Sequence, residues 1–327
     1  MSGPPVEETA APTPPSPSSA PATWTSLGPD AGPAAREDHT WTYDPDTRAA
    51  WLFGGRDGST EFADLWRFDL DADAWQQIAP GNAGPAARFG HTGTWIDGVG
   101  LVVWSGQAGT TFFDDLWAFD PNDGDWRELP TGDLRPAARY GSCAALGPDA
   151  RLWVSHGFTA DNGRFADTWA YDMRDSTWIE STPDGDLPPI RCLHDCLWAP
   201  DGRLILYAGQ TTGVPAIGDL WTRTVDGGWV EALSVAPPAR QLYGLASLGD
   251  RAWVHGGGAA DGSKLGDLWE LDLSTLAWTE RATSGDQPSG RTGAALVADP
   301  ETGRLLLFGG LTDDGASDEV WELSPVG

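Results

Sequence analysis

The stretch Pro33–Trp75, PAAREDHTWTYDPDTRAAWLFGGRDGSTEFADLWRFDLDADAW, decides the fold, because the rest of the chain repeats it. It opens on Pro33-Ala34-Ala35-Arg36, passes His39 and Trp41, and runs apolar through Trp51-Leu52-Phe53 to Gly54-Gly55. Asp64-Leu65-Trp66, Phe68-Asp69 and a lone Trp75 follow. Arg36 returns as Arg88, Arg139, Arg191, Arg240 and Arg291, and Asp64 is matched by Asp115, Asp167, Asp219, Asp267 and Asp318. Trp75 is matched by Trp126, Trp178, Trp229 and Trp278, and repeats are spaced by 48 to 52 residues. A period near fifty with this content predicts a propeller rather than a run of ordinary domains.

Nothing resembling Trp75 follows Trp321, so the last unit is one piece short. Ala22-Thr23-Trp24 followed by Gly32-Pro33-Ala34-Ala35-Arg36 reads like Asp73-Ala74-Trp75 followed by Pro85-Ala86-Ala87-Arg88. The N-terminal segment is therefore expected to supply the outer strand of the last blade, and the count is six. Residues 22–327 form the propeller on this reading. Residues 1–21, rich in Ser, Pro, Thr and Ala without apolar periodicity, read as an extended, disordered linker.

These residues resemble the kelch repeat family, whose motif joins a double glycine to a downstream aromatic and Trp pair. The pairs are Gly54-Gly55, Ser105-Gly106, His156-Gly157, Ala208-Gly209, Gly256-Gly257 and Gly309-Gly310. The resemblance implies an all-β propeller of four-stranded blades and fixes no function.

Composition limits the partners. The chain carries 48 acidic and 20 basic residues for a formal charge of −28, with Lys264 its only lysine. Such a surface repels nucleic acid and anionic lipid. There is no run of 18 apolar residues, so no transmembrane helix is expected. A Pro/Ser-rich leader ahead of a compact domain is what remains when a lipoprotein signal is removed. The expectation is an extracellular or periplasmic, lipid-anchored monomer, the alternative a cytoplasmic protein with a plain linker.

In the first repeat, strands are expected at His39–Tyr43, Ala50–Phe53, Leu65–Phe68 and Ala74–Gln77, separated by turns such as Asp44-Pro45-Asp46. A meandering blade then puts the arginines, the residues after the glycine pairs and the loops before Asp-Leu-Trp on one face. Acidic turns, among them Asp46, Asp71, Asp125 and Asp201, take the other.

Two functions compete for the first face. Six arginines at one repeat position would ring a channel mouth, and a guanidinium binds a carboxylate bidentately. Arg36, Arg88, Arg139, Arg191, Arg240 and Arg291, with Arg56, Gln107, Phe158 and Gln210 after the glycine pairs, are the candidate ligand-binding residues. Phe62, Phe112, Phe113 and Phe165 lie in the neighbouring loops. The partner would be a protein, a peptide or another carboxylate-bearing ligand, with no cofactor. The alternative is a metal-dependent enzyme, because His39, His91, His194 and Tyr243 share one repeat level and could hold a copper, iron or zinc ion. Kelch-fold oxidases with a channel copper and His and Tyr ligands make the same suggestion by resemblance.

Cys192 and Cys196 would stand about 13 Å apart on an extended strand, too far for a disulfide. With Cys143 the number is odd, and all three are expected as small core residues. Asp69-Leu70-Asp71-Ala72-Asp73 lacks the central glycine and distal glutamate of a calcium loop and reads as a hairpin turn. No nucleophile elbow, Walker loop, dinucleotide fingerprint or His-Glu-x-x-His is present.

Overall fold

A computed structural model describes residues 21–28, 31–233 and 237–324. The described chain is strand and turn throughout, arranged as six four-stranded antiparallel meanders. In the first, Thr40–Asp44 pairs with Ala49–Phe53, which pairs with Leu65–Asp69, which pairs with Ala74–Ile78. These strands lie within one or two residues of those expected, because alternating apolar residues and Asp-rich turns mark both ends of each strand. The inner strands of the remaining blades are Thr92–Ile96, Cys143–Leu146, Asp195–Trp198, Gly244–Leu248 and Ala295–Asp299.

The ring closes as the Trp24 match implies. Ala22–Ser26 pairs antiparallel with Val320–Leu323, Trp24 opposite Leu323 and Ser26 opposite Trp321. Trp24 is 3% exposed and packs edge-on against His255 of the preceding blade. Other outer-strand tryptophans follow the same rule. Trp75 meets Phe308, Trp126 meets Phe53, Trp178 meets Trp104 and Trp278 meets Tyr207, with ring centroids 4.8–5.5 Å apart. Each blade thus buries its aromatic edge on the blade before it, a geometry worth more than the area alone.

A second closure runs through the backbone. Two residues beyond each arginine stand Asp38, Gly90, Gly141, Leu193, Leu242 and Gly293, all with φ between 51° and 64°. The N–H of Gly90 donates to the carbonyl of Asp38, Gly141 to Gly90, Leu193 to Gly141, Leu242 to Leu193, Gly293 to Leu242 and Asp38 to Gly293, at 2.7–3.1 Å. These six bonds form a closed annulus at one end of the central channel.

The glycine pairs obey a related backbone rule. Their first residues, Gly54, Ser105, His156, Ala208, Gly256 and Gly309, have φ between 58° and 71°, which other residues can adopt. Their second residues have φ of 93–111° and are glycine in all six blades. At Gly55 a Cβ would lie 2.8 Å from the carbonyl oxygen of Glu37 and from the Cβ of His39. The second position has a φ that only glycine adopts readily, whereas the first has one that Ser105, His156 and Ala208 also adopt, which is why the first drifts.

Two sequence readings are corrected here. Cys143 and Cys196 form a disulfide, with Cα atoms 5.6 Å apart, between the inner strands of the third and fourth blades. Spacing along one strand could not reveal a pairing between two. Cys192 alone remains a free, buried thiol. The sixth counterpart of Asp64 is Glu319 rather than Asp318, because Glu319 accepts from Arg291. The linker expectation falls, apart from residue 21, outside the described residues.

Candidate ligand site at the channel mouth

The six repeat arginines are not presented to a ligand. All are 0–1% exposed. In five of them Nη1 and Nη2 donate to the two oxygens of Asp64, Asp115, Asp167, Asp219 or Asp267 at 2.6–2.9 Å. Nη1 also donates to the carbonyl of the first residue of the glycine pair, at 2.8–3.0 Å. Nε donates to a carbonyl two residues back. Phe62, Phe113 and Phe165, expected beside a ligand, instead cover the guanidinium planes of Arg36, Arg88 and Arg139 at 3.8–4.1 Å.

The expectation of an arginine-lined ligand face is corrected accordingly: these guanidiniums brace the loops of their own blades. The indole N–H of each Asp-Leu-Trp tryptophan donates to the same carboxylate, as Trp66 does to Asp64 at 2.7 Å. Burial pushes the carboxyls of Asp64, Asp115, Asp167 and Asp267 up, but the guanidinium and indole donors outweigh it and hold them below the usual range.

The four candidate metal ligands are likewise committed to seams between blades. His39 stacks edge-on against Phe308, His91 against Phe53 and His194 against His156, at 5.2–5.4 Å. Burial pushes His39 down to about 3 and the other two well below the ordinary range, so all three are neutral. The Tyr243 hydroxyl donates to the carbonyl of Tyr207 at 2.6 Å and accepts the N–H of Asp195. Among the described residues, no three His, Cys, Asp or Glu side chains come together as a ligand set requires.

Residues after the glycine pairs lie beside the loops that carry the repeat arginines. Arg56, Gln107, Phe158 and Gln210 form backbone bridges with Glu37, Phe89, Tyr140 and Cys192. Arg56 is engaged by two acids, Glu37 at 3.3 Å and Asp38 at 3.0 Å. Gln107 donates to the carbonyl of Gly109, and Gln210 to the Cys192 sulfur at 3.6 Å. Phe158 joins an aromatic cluster with Phe112, Tyr140 and Phe89, whose successive centroids lie 5.8–6.2 Å apart. Arg56 sits 4.2 Å over Phe89 at one end, and Arg164 sits 5.5 Å over Phe158 at the other.

Below the mouth, the inner strands enclose a cavity of about 480 Å³. Asp195 lines it, and burial pushes its carboxyl up to about 7. Burial and the adjacent Asp38 likewise push Glu37 up to about 7. Glu37, Asp38, Arg164 and Asp195 were not singled out from the sequence. Aligning the repeats position by position carries the signal: Asp38 falls where three blades have glycine, and Asp195 where the others have Thr, Cys, Gly or Ala.

Six meandering blades with braced loops define a β-propeller. The chain belongs to the kelch-repeat family: the KLHDC2/KLHL20/DRC7 Kelch-repeats domain matches residues 20–209 and 183–326. It is similar to the leucine-zipper-like transcriptional regulator 1 homolog of Drosophila melanogaster, at 26% identity over 302 residues, 86% of this chain and 30% of that protein. It is also similar to Kelch domain-containing protein 1 of Mus musculus, at 28% identity, covering 69% of this chain and 64% of that one. Kelch domain-containing protein 2 of Bos taurus is 24% identical, over 77% of this chain and 70% of its own length. The first two relatives thus extend well beyond the part this chain matches. No helix among the described residues is long and apolar enough to cross a membrane.

Proposed function

We propose that this propeller is the binding module of an exported protein and that its channel mouth takes a peptide segment of a protein partner. The observation that carries the reading is the cluster Phe89–Tyr140–Phe112–Phe158 with Arg164 at its edge. The Arg164 guanidinium joins no ion pair among the described residues, and its Nε has no acceptor. An apolar side chain would rest on the rings while a carboxylate met Arg164, the division of labour usual in ligand sites. This assigns the carboxylate-bearing partner to Arg164 and leaves the six buried arginines as support. The cross-blade disulfide favours an oxidising compartment, which supports export.

Selection from a displayed random-peptide library tests the site. Selected peptides should share an acidic residue near an aromatic or apolar one. Each should lose about 1.5–3 kcal/mol of affinity in Arg164→Ala, the range for a hydrogen bond to a charged group. Peptides indifferent to both Arg164→Ala and Phe158→Ala would place the site elsewhere. A reduced Cys143–Cys196 pair in protein taken from its native host would count against export.

A further inference from the structure

The channel offers a second site, independent of the mouth. Four residues beyond the repeat arginines stand Thr40, Thr92, Cys143, Asp195, Gly244 and Ala295, and all six line the cavity. Asp195 is the one charged residue among them. Its Oδ1 accepts the N–H of Cys196 at 2.8 Å, and among the described residues it joins no ion pair. This half-buried carboxylate lines the cavity with one donor and no cationic partner among the described residues, which leaves it open to pair with a ligand. Its surroundings are small or apolar: Thr42, Ala144, Leu245 and Ala295 are half-buried wall residues.

The other acid of the lining, Asp38, is already paired with Arg56 at 3.0 Å, so Asp195 is the unpaired charge of the cavity among the described residues. Asp38, 8% exposed, lines the annulus end, and its Oδ1 accepts no hydrogen bond among the described residues. The histidines in the lining are neutral and contribute no balancing charge. Exposed turns that follow the inner strands carry Asp46, Asp201 and Glu301 at the other end, with Asp201 paired to Arg203 and Glu301 to Arg48. Asp46 and the chain's formal charge of −28 favour cations at this entrance.

We infer that the channel binds an organic cation, a primary ammonium on a short alkyl chain, with the ammonium paired to Asp195. The alkyl body lies along Ala144, Leu245 and Ala295, and a cavity of about 480 Å³ accommodates it. A free alkylamine and a lysine side chain of a partner both carry this group.

Calorimetric titration of the full chain with n-pentylamine, 1-pentanol and Nα-acetyllysine amide tests the assignment. The amine should bind at least about tenfold more tightly than the alcohol, the scale of one charge-assisted contact. Asp195→Asn should remove that advantage, whereas Asp46→Asn on the rim should change affinity less than about twofold.

Proton release gives a readout that needs no variant. With the Asp195 carboxyl at about 7, it is mostly protonated at pH 6, so ammonium binding there should expel close to one proton. At pH 8.5 almost none should leave. The neighbours facing Asp195 keep one protonation state across this range. Tyr207 and Tyr243 are raised by burial, His194 and His156 are depressed by it, and Cys143 and Cys196 are joined. Tighter binding of acetyllysine amide than of pentylamine would assign the ammonium to a partner's lysine, and the reverse order to a free amine. Equal affinity of the protein for amine and alcohol would overturn the proposal. Its failure leaves the mouth reading standing, because no mouth residue is involved.

Discussion

Removing one partner from a buried ion pair costs more than the pair itself contributes, because the charge left behind has lost its water. Arg88 illustrates this. Its guanidinium is fully buried, and Asp115 receives both Arg88 and the Trp117 indole. Arg88→Ala should lower unfolding stability by about 3–5 kcal/mol, measured by urea denaturation. Asp125→Ala, at an exposed position on the opposite face, should change it by less than about 0.5 kcal/mol. Similar losses for the two would contradict the brace. Buried histidines set a second residue-scale expectation. Burial depresses His39, His156 and His255 to about 3 and His91 and His194 well below the ordinary value. Their contribution to stability is complete above their unfolded value near 6.5 and is lost as the pH falls toward 3. Glu37 and Asp195, pushed up to about 7 by burial, act oppositely, losing their contribution as the pH rises through that value, and Asp38, also raised by burial, acts in the same direction. Five groups outweigh three, so the urea midpoint should fall between pH 7 and pH 5. A rising midpoint would mean the acids dominate.

At the scale of elements, the terminal strand is the test piece. Ala22–Ser26 completes the last blade through its ladder with Val320–Leu323, and it also pairs in parallel with Thr283–Ser284. Deleting residues 1–20 leaves every one of those bonds intact, and the melting temperature should not move. Deleting residues 1–27 removes the ladder and the buried Trp24, whose loss alone is worth about 3–5 kcal/mol. That truncation should melt well below the full chain, and equal melting of both would require another closure. Strand positions, blade number and this closure were readable because repetition averages out local ambiguity. The disulfide was not readable, since Cys143 and Cys196 meet only through the packing of two blades.

Across the whole molecule, repetition is also what misled the reading of the site. A feature present six times at one position, like the arginines, is most economically explained by what every blade needs. The sites proposed above rest instead on residues that break the repeat, Arg164 and Asp195. Symmetry put Arg56, Gln107, Phe158 and Gln210 at one repeat position, and all four bridge the backbone just beyond a repeat arginine. Burial could not be read from the same pattern, because a guanidinium at a loop start looks alike whether it faces solvent or a carboxylate.

The annulus of six backbone hydrogen bonds has a consequence for how such a chain can change over generations. An open solenoid lengthens or shortens by whole units, since each unit touches only its neighbours. Here every donor in the circle is the next acceptor, and Asp38 receives from Gly90 while giving to Gly293. Duplicating or deleting a single repeat would require all six angles to change together and would break the one seam that joins the first blade to the last. A gain or loss of one unit must therefore be absorbed around the whole ring at once, as between propellers of different blade number. Divergence one residue at a time acts instead on the side chains that the circle holds in place.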